Sequence, residues 1–173
     1  MCMTSTLLVR EVMESSRAPP VSEFGSVDPA PAEKESNVTK LMASLVDEEI
    51  EMFHRMRAVF ALRNIRTDES ALALCRGFES TSALLRHEIA YVLGQMQNPV
   101  VLPQLIDVLS DESEHVMVRH EAAEAMGAIG DRSAISTLQK FRNHDQPEIA
   151  ESCIVALDLM AWVQSSEFDE MAE

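Results

Sequence analysis

The sequence is poor in several residue types, and each shortage excludes a class of protein. It contains three cysteines, Cys2, Cys75 and Cys153, without a CxxC pair, so neither a disulfide framework nor a zinc ribbon is indicated. Glycine is scarce, and neither a phosphate-binding glycine loop nor a GxSxG nucleophile motif occurs. No run approaches the roughly 20 apolar residues of a membrane span, and residues 1–10 do not have the pattern of a signal peptide. We therefore expect a cytoplasmic protein that does not enter a membrane.

Basic residues are also few, since 14 Lys and Arg stand against 29 Asp and Glu, for a net charge of −15. Binding to a phosphate backbone needs clustered basic side chains, so nucleic acid is not an expected partner. A negative surface would instead attract a basic or lysine-bearing protein substrate. The chain is rich in Ala, Leu, Met and Glu, and its 173 residues suffice to bury a core. This composition favours a mostly helical protein.

The composition changes near residue 38. Residues 1–37 include four prolines and little hydrophobic sequence, which predicts a disordered linker or arm. Residues 38–165 have helical periodicity, and residues 166–173 form an acidic tail. The predicted helices are Val38–Leu45, Glu49–Asn64, Asp68–Phe78, Ser82–Met96, Pro99–Ser110, Val116–Ile129, Ala134–Asn143 and Pro147–Val163. Paired helices with tight turns predict an all-α fold, a HEAT-like α-solenoid of helical hairpins.

A His-Glu dipeptide occurs twice, as His87-Glu88 and His120-Glu121, in two helices that align at an offset of 33 residues. That spacing is about one helical-hairpin repeat. The helices before and after them align at offsets of 31, but carry Met56-Arg57 and Glu151-Ser152 at the same positions. The outer repeats thus keep the small apolar positions and lose the His-Glu pair. Packing alone therefore does not explain these two dipeptides.

Metal binding is the chemistry that these dipeptides favour. Adjacent residues on a helix point about 100° apart, and packed helices lie about 10 Å apart. His87 and His120 can therefore approach one ion from neighbouring helices, with a carboxylate of Glu88 or Glu121 completing the set. Two histidines and one carboxylate suit non-haem iron or a similar divalent metal. A zinc protease is excluded, because it needs both histidines at positions i and i+4 of one helix.

The other histidines, His54, His115 and His144, are expected to have structural roles at helix faces or in loops. Met117 lies three residues before His120 and is expected at the rim of the site. Arg86 and Arg119 immediately precede the two histidines. We expect both arginines to pair with neighbouring acids rather than to bind an anion.

The segments around both dipeptides resemble deoxyhypusine hydroxylase. The similarity is carried by SALLRHEIAYVLGQMQ at residues 82–97 and by MVRHEAAEAMGAIG at residues 117–130. It extends from residues 26–31, through residues 57–64, to residues 151–153. The family is a HEAT-repeat solenoid of two similar halves joined by a linker, each half with two His-Glu pairs. This sequence resembles the second half with the preceding linker.

The resemblance implies a function. Members of the family hydroxylate the deoxyhypusine side chain of a eukaryotic translation factor to form hypusine, with molecular oxygen and a di-iron (Fe2+) centre. By resemblance, His87, His120 and Glu121 are iron ligands. Glu88 matches the remaining carboxylate, which contacts either the metal or the amine of the substrate and is the implied catalytic residue. A carboxylate there suits a cationic, lysine-derived side chain.

Only two His-Glu pairs are present where the family uses four, so one copy of the chain supplies half of the di-iron ligands. The chain is therefore a truncated product, a half that pairs with a second half-chain or with itself as a homodimer, or an inactive relative. A two-fold homodimer could rebuild a four-pair site. Two other functions compete with hydroxylation: a metal-free HEAT scaffold that binds proteins, and a HEAT-like bilin lyase. The doubled His-Glu pair favours the hydroxylase.

Overall fold

The structure, a computed structural model, describes residues 32–165. Over that range the chain is helical and without strands, so the predicted all-α class is confirmed. The α-helices are α1 (Val38–Val46), α2 (Met52–Ile65), α3 (Asp68–Cys75), α4 (Ala83–Met96), α5 (Leu102–Ser110), α6 (Val116–Ile129), α7 (Ile135–Phe141) and α8 (Pro147–Val163). Most of the predicted arm, residues 1–31, and the predicted tail, residues 166–173, lie outside the described residues.

Consecutive helices form four hairpins, α1–α2, α3–α4, α5–α6 and α7–α8. The second helices of the hairpins, α2, α4, α6 and α8, pack side by side as one layer, and the most extensive contacts join α4 to α6 and α6 to α8. Helix-on-helix stacking of this kind is the α-solenoid predicted from the repeats. Among residues 32–165, no helix combines the length and apolar character needed to cross a membrane.

Small residues allow α4, α6 and α8 to approach closely. A Cβ atom added at Gly94 of α4 would lie 3.0 Å from Cα of Ala125 on α6. One added at Gly127 of α6 would lie 2.7 Å from Cα of Ala156 on α8. Because real Cβ atoms do not approach a backbone atom that closely, the packing at Gly127 requires glycine. The resulting short distance between helix axes brings the His-Glu helices within reach of each other.

Polar side chains at the helix starts explain where most elements begin. Asn37 caps α1 by accepting from the backbone N–H of Lys40, and Ser82 caps α4 by accepting from that of Leu85. Thr67 and Ser70 form a reciprocal capping box at α3. Helix α8 begins at Pro147, a residue tolerated in the first turn. The side-chain caps at α1, α3 and α4 satisfy backbone N–H groups that have no partner within the helix.

Several predicted helix boundaries are wrong, and one is the start of the predicted helix Pro99–Ser110, because Pro99–Val101 is a 3-10 turn and α5 begins at Leu102. Helix α2 begins at Met52 rather than Glu49, because residues 47–50 form a turn closed by the Ile50 N–H and the Asp47 carbonyl. The predicted helix Asp68–Phe78 ends at Cys75 and continues as a 3-10 turn, Arg76–Glu79. The predicted helix Ala134–Asn143 is shortened to α7, after a 3-10 turn capped by Asp131.

Arginines at equivalent positions of α2, α4 and α6 join neighbouring elements. Nε of Arg55 donates to the Leu45 carbonyl at 2.8 Å, and Nε of Arg119 donates to the Leu109 carbonyl at 3.0 Å. Each bond satisfies an orphan carbonyl near the end of the preceding helix. Arg86 forms two 2.7 Å hydrogen bonds with the carboxylate of Glu114, as predicted. The expectation of an acidic partner is wrong for Arg119, which is only 2% exposed and whose Nε donates to a backbone carbonyl instead.

The two cysteines of the described range are free thiols that fill space between helices. Cys153 is buried and Cys75 is half-buried. Burial raises the pKa of Cys75 to about 12 and that of Cys153 to about 11. A thiol that stays protonated at neutral pH is a poor nucleophile and metal ligand, so both cysteines act as small apolar residues.

Candidate metal centre

His87 on α4 and His120 on α6 face each other across the contact between these two helices. Their ring centroids lie 5.8 Å apart, with the ring planes inclined at 41°. Both side chains are largely covered, with exposed fractions of 29% and 17%. The repeat offset that aligns the two helices in the sequence thus corresponds to a real convergence of the two imidazoles.

Glu121 joins the two histidines to form a group of three possible ligands. One ligand atom from each of His87, His120 and Glu121 lies within 4.8 Å of the other two. The Glu121 carboxylate is buried, with 7% of the residue exposed. Nε2 of His120 is buried and has no hydrogen-bond partner within the described range, residues 32–165. Because an unpartnered buried polar atom is costly, this nitrogen and the two-His, one-carboxylate donor set fit a divalent metal such as iron.

His87 and Glu121, two members of this group, are also in direct contact. Nε2 of His87 lies 3.2 Å from a carboxylate oxygen of Glu121. The hydrogen bond with Glu121 raises the pKa of His87 above its ordinary value, although burial acts in the opposite direction. The negative charges of Glu121, Glu88 and Glu124 add to the increase. The site therefore has a negative potential that attracts cations.

His120 is held on its other side by a network that the sequence analysis did not identify. Its Nδ1 lies 3.3 Å from Oε1 of Glu124 and 3.3 Å from Oγ of Ser152. The Ser152 hydroxyl in turn donates to Glu124 at 3.0 Å. Two sequence signals were available: Glu124 lies four residues after His120, and Ser152 occupies the position of Glu121 in the next repeat. Their meeting depends on the close packing of α6 and α8.

Glu88 is half-buried and lies outside the group of three. Its charge acts on His87, as the raised pKa of that imidazole indicates. Its role as a metal ligand or as the contact to the substrate amine stays a prediction.

An open pocket of about 380 Å³ lies at the contact between α4 and α6, and Glu121 is the member of the group of three that lines it. Glu121 and Glu124 contribute carboxylates to its wall. The remaining lining residues are Tyr91, Gly94, Gln95, Gln97, Ala125 and Ala128. The two carboxylates in its wall favour a cationic group there.

The other histidines of the chain have the structural contacts expected of them. His115 caps α6, because its Nδ1 accepts from the backbone N–H of Met117 at 3.2 Å. Nδ1 of His144 accepts from the N–H of Gln146 at 3.1 Å. The ring of His54 packs edge-on against Phe53, with 5.3 Å between centroids. Met117, predicted at the rim of the site, is 43% exposed.

The chain is similar to known proteins over nearly all of the described range. The family model for HEAT repeats matches residues 38–116 and 73–158. The deoxyhypusine hydroxylase of Candida albicans is 48% identical over 163 residues, which are 92% of this chain and 49% of that protein. The Danio rerio and human enzymes of the same name are 47% and 42% identical, over 84% and 91% of this chain and 48% and 52% of theirs.

The solved structure of human deoxyhypusine hydroxylase in complex with glycerol is also similar. It matches with a TM-score of 0.77 at 42% identity, over 88% of this chain and 53% of that one. The chain spans about half the length of the curated relatives that it matches. These comparisons and the helical hairpins lead to one conclusion. The chain belongs to the HEAT-repeat family, and it resembles the deoxyhypusine hydroxylases over about half of their length.

Proposed function

We propose that the chain forms half of a deoxyhypusine hydroxylase, which converts a deoxyhypusine side chain of a translation factor to hypusine. The observation that carries this proposal is the convergence of His87, His120 and Glu121 at one point beside an acidic pocket. The similarity to hydroxylases at 42–48% identity supports the same reaction. We propose a protein substrate and a reaction in the cytoplasm.

The residues of the chain would perform three tasks. His87, His120 and Glu121 hold Fe2+, which supplies the one-electron and oxygen chemistry that protein side chains lack. Glu88 either adds a carboxylate to the metal or pairs with the amine of the substrate. The pocket beside them would hold the cationic side chain, because the carboxylates of Glu121 and Glu124 in its wall attract the ammonium group.

The remaining ligands would come from a second set of repeats. This chain contributes two His-Glu pairs, and the proposed di-iron centre uses four. We infer that a second half-chain or a second copy of this chain provides the other two pairs. A symmetric dimer places equivalent residues opposite each other, so a second copy would present the same kind of ligands.

Hydroxylation can be tested directly on a protein that carries deoxyhypusine. The chain is loaded with Fe2+ without oxygen, separated by size, and each fraction is exposed to oxygen, a reductant and the substrate protein. Mass spectrometry then detects the addition of one oxygen atom to the deoxyhypusine residue. We expect hydroxylation in the fraction that contains two chains and its loss in His120→Ala. The matched control is His54→Ala, because His54 is exposed on α2 and lies outside the group of His87, His120 and Glu121.

Two results would contradict the proposal. An iron-loaded two-chain fraction that never hydroxylates the substrate would exclude this reaction for the isolated chain. If the chain takes up no iron, the proposed metal site is excluded. The function that remains is then that of a protein-binding HEAT scaffold.

A further inference from the structure

We infer that Glu124 and Ser152 are positioning residues that fix His120 in one tautomer. In this tautomer Nδ1 carries the proton, and the lone pair of Nε2 is directed into the metal-binding group, which is the name used for His87, His120 and Glu121 together. This inference rests on the proposed function, since it concerns the same site. It assigns a role to two residues that lie outside the ligand set, one on α6 and one on α8.

The two partners reach the same nitrogen. Oε1 of Glu124 and Oγ of Ser152 each lie 3.3 Å from Nδ1 of His120. Ser152 is 6% exposed, so its hydroxyl is shielded from water. Glu124 is half exposed, but its position is defined by the 3.0 Å hydrogen bond that it accepts from Ser152. The ring is thus held from its own helix and from the next repeat.

The direction of these hydrogen bonds determines where the imidazole proton is. An ionised carboxylate only accepts hydrogen bonds. The Ser152 hydroxyl has one proton, which it donates to Glu124, so towards His120 it can only accept. Both partners of Nδ1 are therefore acceptors, and Nδ1 must carry the proton. In the neutral ring Nε2 is then unprotonated, and this is the nitrogen that is buried without a partner.

His87 has no equivalent arrangement. The residue four positions after it is Tyr91, which is 45% exposed, where His120 has Glu124. Its Nε2 faces the Glu121 carboxylate at 3.2 Å, so without metal the carboxylate favours a proton on that nitrogen. Of the two imidazoles, His120 is therefore the one that already has an unprotonated Nε2 for a metal in the metal-free chain. A carboxylate or hydroxyl behind a metal-binding histidine commonly has this effect, and its loss weakens metal affinity about 10- to 100-fold.

The tautomer can be measured without any metal. Long-range 1H–15N NMR spectra of the metal-free chain at pH 8 distinguish a protonated Nδ1 from a protonated Nε2, and the His120→Gln spectrum assigns the signal. We expect a protonated Nδ1 and an unprotonated Nε2 for His120 in the wild-type chain. We expect this preference to be lost in the double variant Glu124→Ala/Ser152→Ala. A wild-type His120 with its proton on Nε2 would overturn the inference.

Co2+ titration, followed by its visible absorption, measures the consequence for metal affinity. The double variant should bind Co2+ about 10- to 100-fold more weakly than the wild type. The matched control is Glu151→Ala, which removes an exposed carboxylate next to Ser152. It should keep wild-type affinity, and circular dichroism checks that both variants fold.

Equal Co2+ affinity of the double variant and the wild type would contradict the positioning role. Failure of the wild type to bind Co2+ would instead contradict the proposed function. In that case the metal-free NMR measurement still decides the tautomer.

Discussion

His87 and His120 occupy equivalent repeat positions, yet their imidazoles meet different neighbours. His87 faces the Glu121 carboxylate, which raises its pKa. Nε2 of His120 is buried and meets no hydrogen-bond partner among residues 32–165. The difference originates one repeat later, where Ser152 replaces the glutamate of the His-Glu pair and supports His120. The repeat that lacks ligands therefore still contributes to the site.

A second cluster of polar side chains, separate from the metal-binding group, connects the first two hairpins. The Glu48 carboxylate pairs with Arg55 at 2.8 Å and also accepts from the hydroxyls of Ser80 and Thr81. Hydrogen bonds from Arg55 first, then from the Ser80 hydroxyl and the Thr81 backbone N–H, lower the pKa of Glu48 from its ordinary value of 4.5 to about 2. The carboxylate is thus more acidic in the folded chain than in the unfolded chain.

This pKa shift predicts how stability changes with pH. Because the folded pKa is the lower one, the contribution of Glu48 is present above pH 4.5 and is lost as the pH falls towards 2. We expect Glu48→Gln to reduce the free energy of unfolding at pH 6 and to reduce the difference in stability between pH 6 and pH 3. Urea denaturation at several pH values measures both quantities. Glu49→Gln is the control, and an identical pH dependence for the two variants would refute the role of Glu48.

Sequence alone predicts the residues that converge but not what supports them. Repeat alignment selects His87, His120 and Glu121, which the structure brings together; their role as ligands stays a prediction. Glu124 and Ser152 could not be selected in the same way, because neither repeats as a motif. Their contact with His120 depends on the distance between α6 and α8, which is set by tertiary packing.

Helices α4, α6 and α8 carry the site, and their close approach keeps the site intact. Gly127 faces the Ala156 backbone at a distance that leaves no room for a methyl group. Gly94 has slightly more space against Ala125. The small residues in this layer thus fix the separation at which side chains on neighbouring helices meet.

Substitution of these glycines tests the role of close packing. Alanine in a helix interior normally stabilises by about 1 kcal/mol relative to glycine, whereas overpacking costs about 1–3 kcal/mol. We expect Gly127→Ala to lower the midpoint of thermal unfolding and to weaken Co2+ binding, because α6 and α8 must separate. Gly94→Ala should have a smaller effect. A Gly127→Ala chain that is more stable than the wild type would exclude this packing constraint.

Helix ends illustrate which local features sequence predicts well. Helices α6 and α8 have the predicted bounds, since Val116 follows a capping residue and Pro147 opens a first turn. The start of α2 was predicted three residues early. The acidic segment before Met52 has residues compatible with a helix, but a turn at Asp47 takes its backbone hydrogen bonds. Such competition between a turn and a helix for the same backbone hydrogen bonds does not alter the hydrophobic periodicity, so the periodicity does not predict its outcome.

At the scale of the whole molecule, the chain spans about half the length of its hydroxylase relatives and supplies half of the proposed ligands. Its net charge of −15 suits a basic or lysine-bearing protein substrate. Assembly of two sets of repeats is therefore central to the proposed function.

Solution mass tests this assembly. With Fe2+ or Co2+ present, we expect analytical ultracentrifugation to give twice the 19.2 kDa mass of one chain. The metal ligands of each copy would then hold the two copies together. His120→Ala should sediment as a single chain under the same conditions. A wild-type chain that binds metal and remains monomeric would contradict assembly of two copies and leave a second half-chain as the source of the missing ligands.

Iron quantification on the anaerobically purified chain tests the central claim most directly. His87, His120 and Glu121 should hold iron in the wild type, and single alanine variants of each should lose most of it. His54→Ala, which removes an exposed imidazole on α2 outside the group, should retain the wild-type iron content. Wild-type iron far below one atom per chain, unchanged by His120→Ala, would contradict the metal centre.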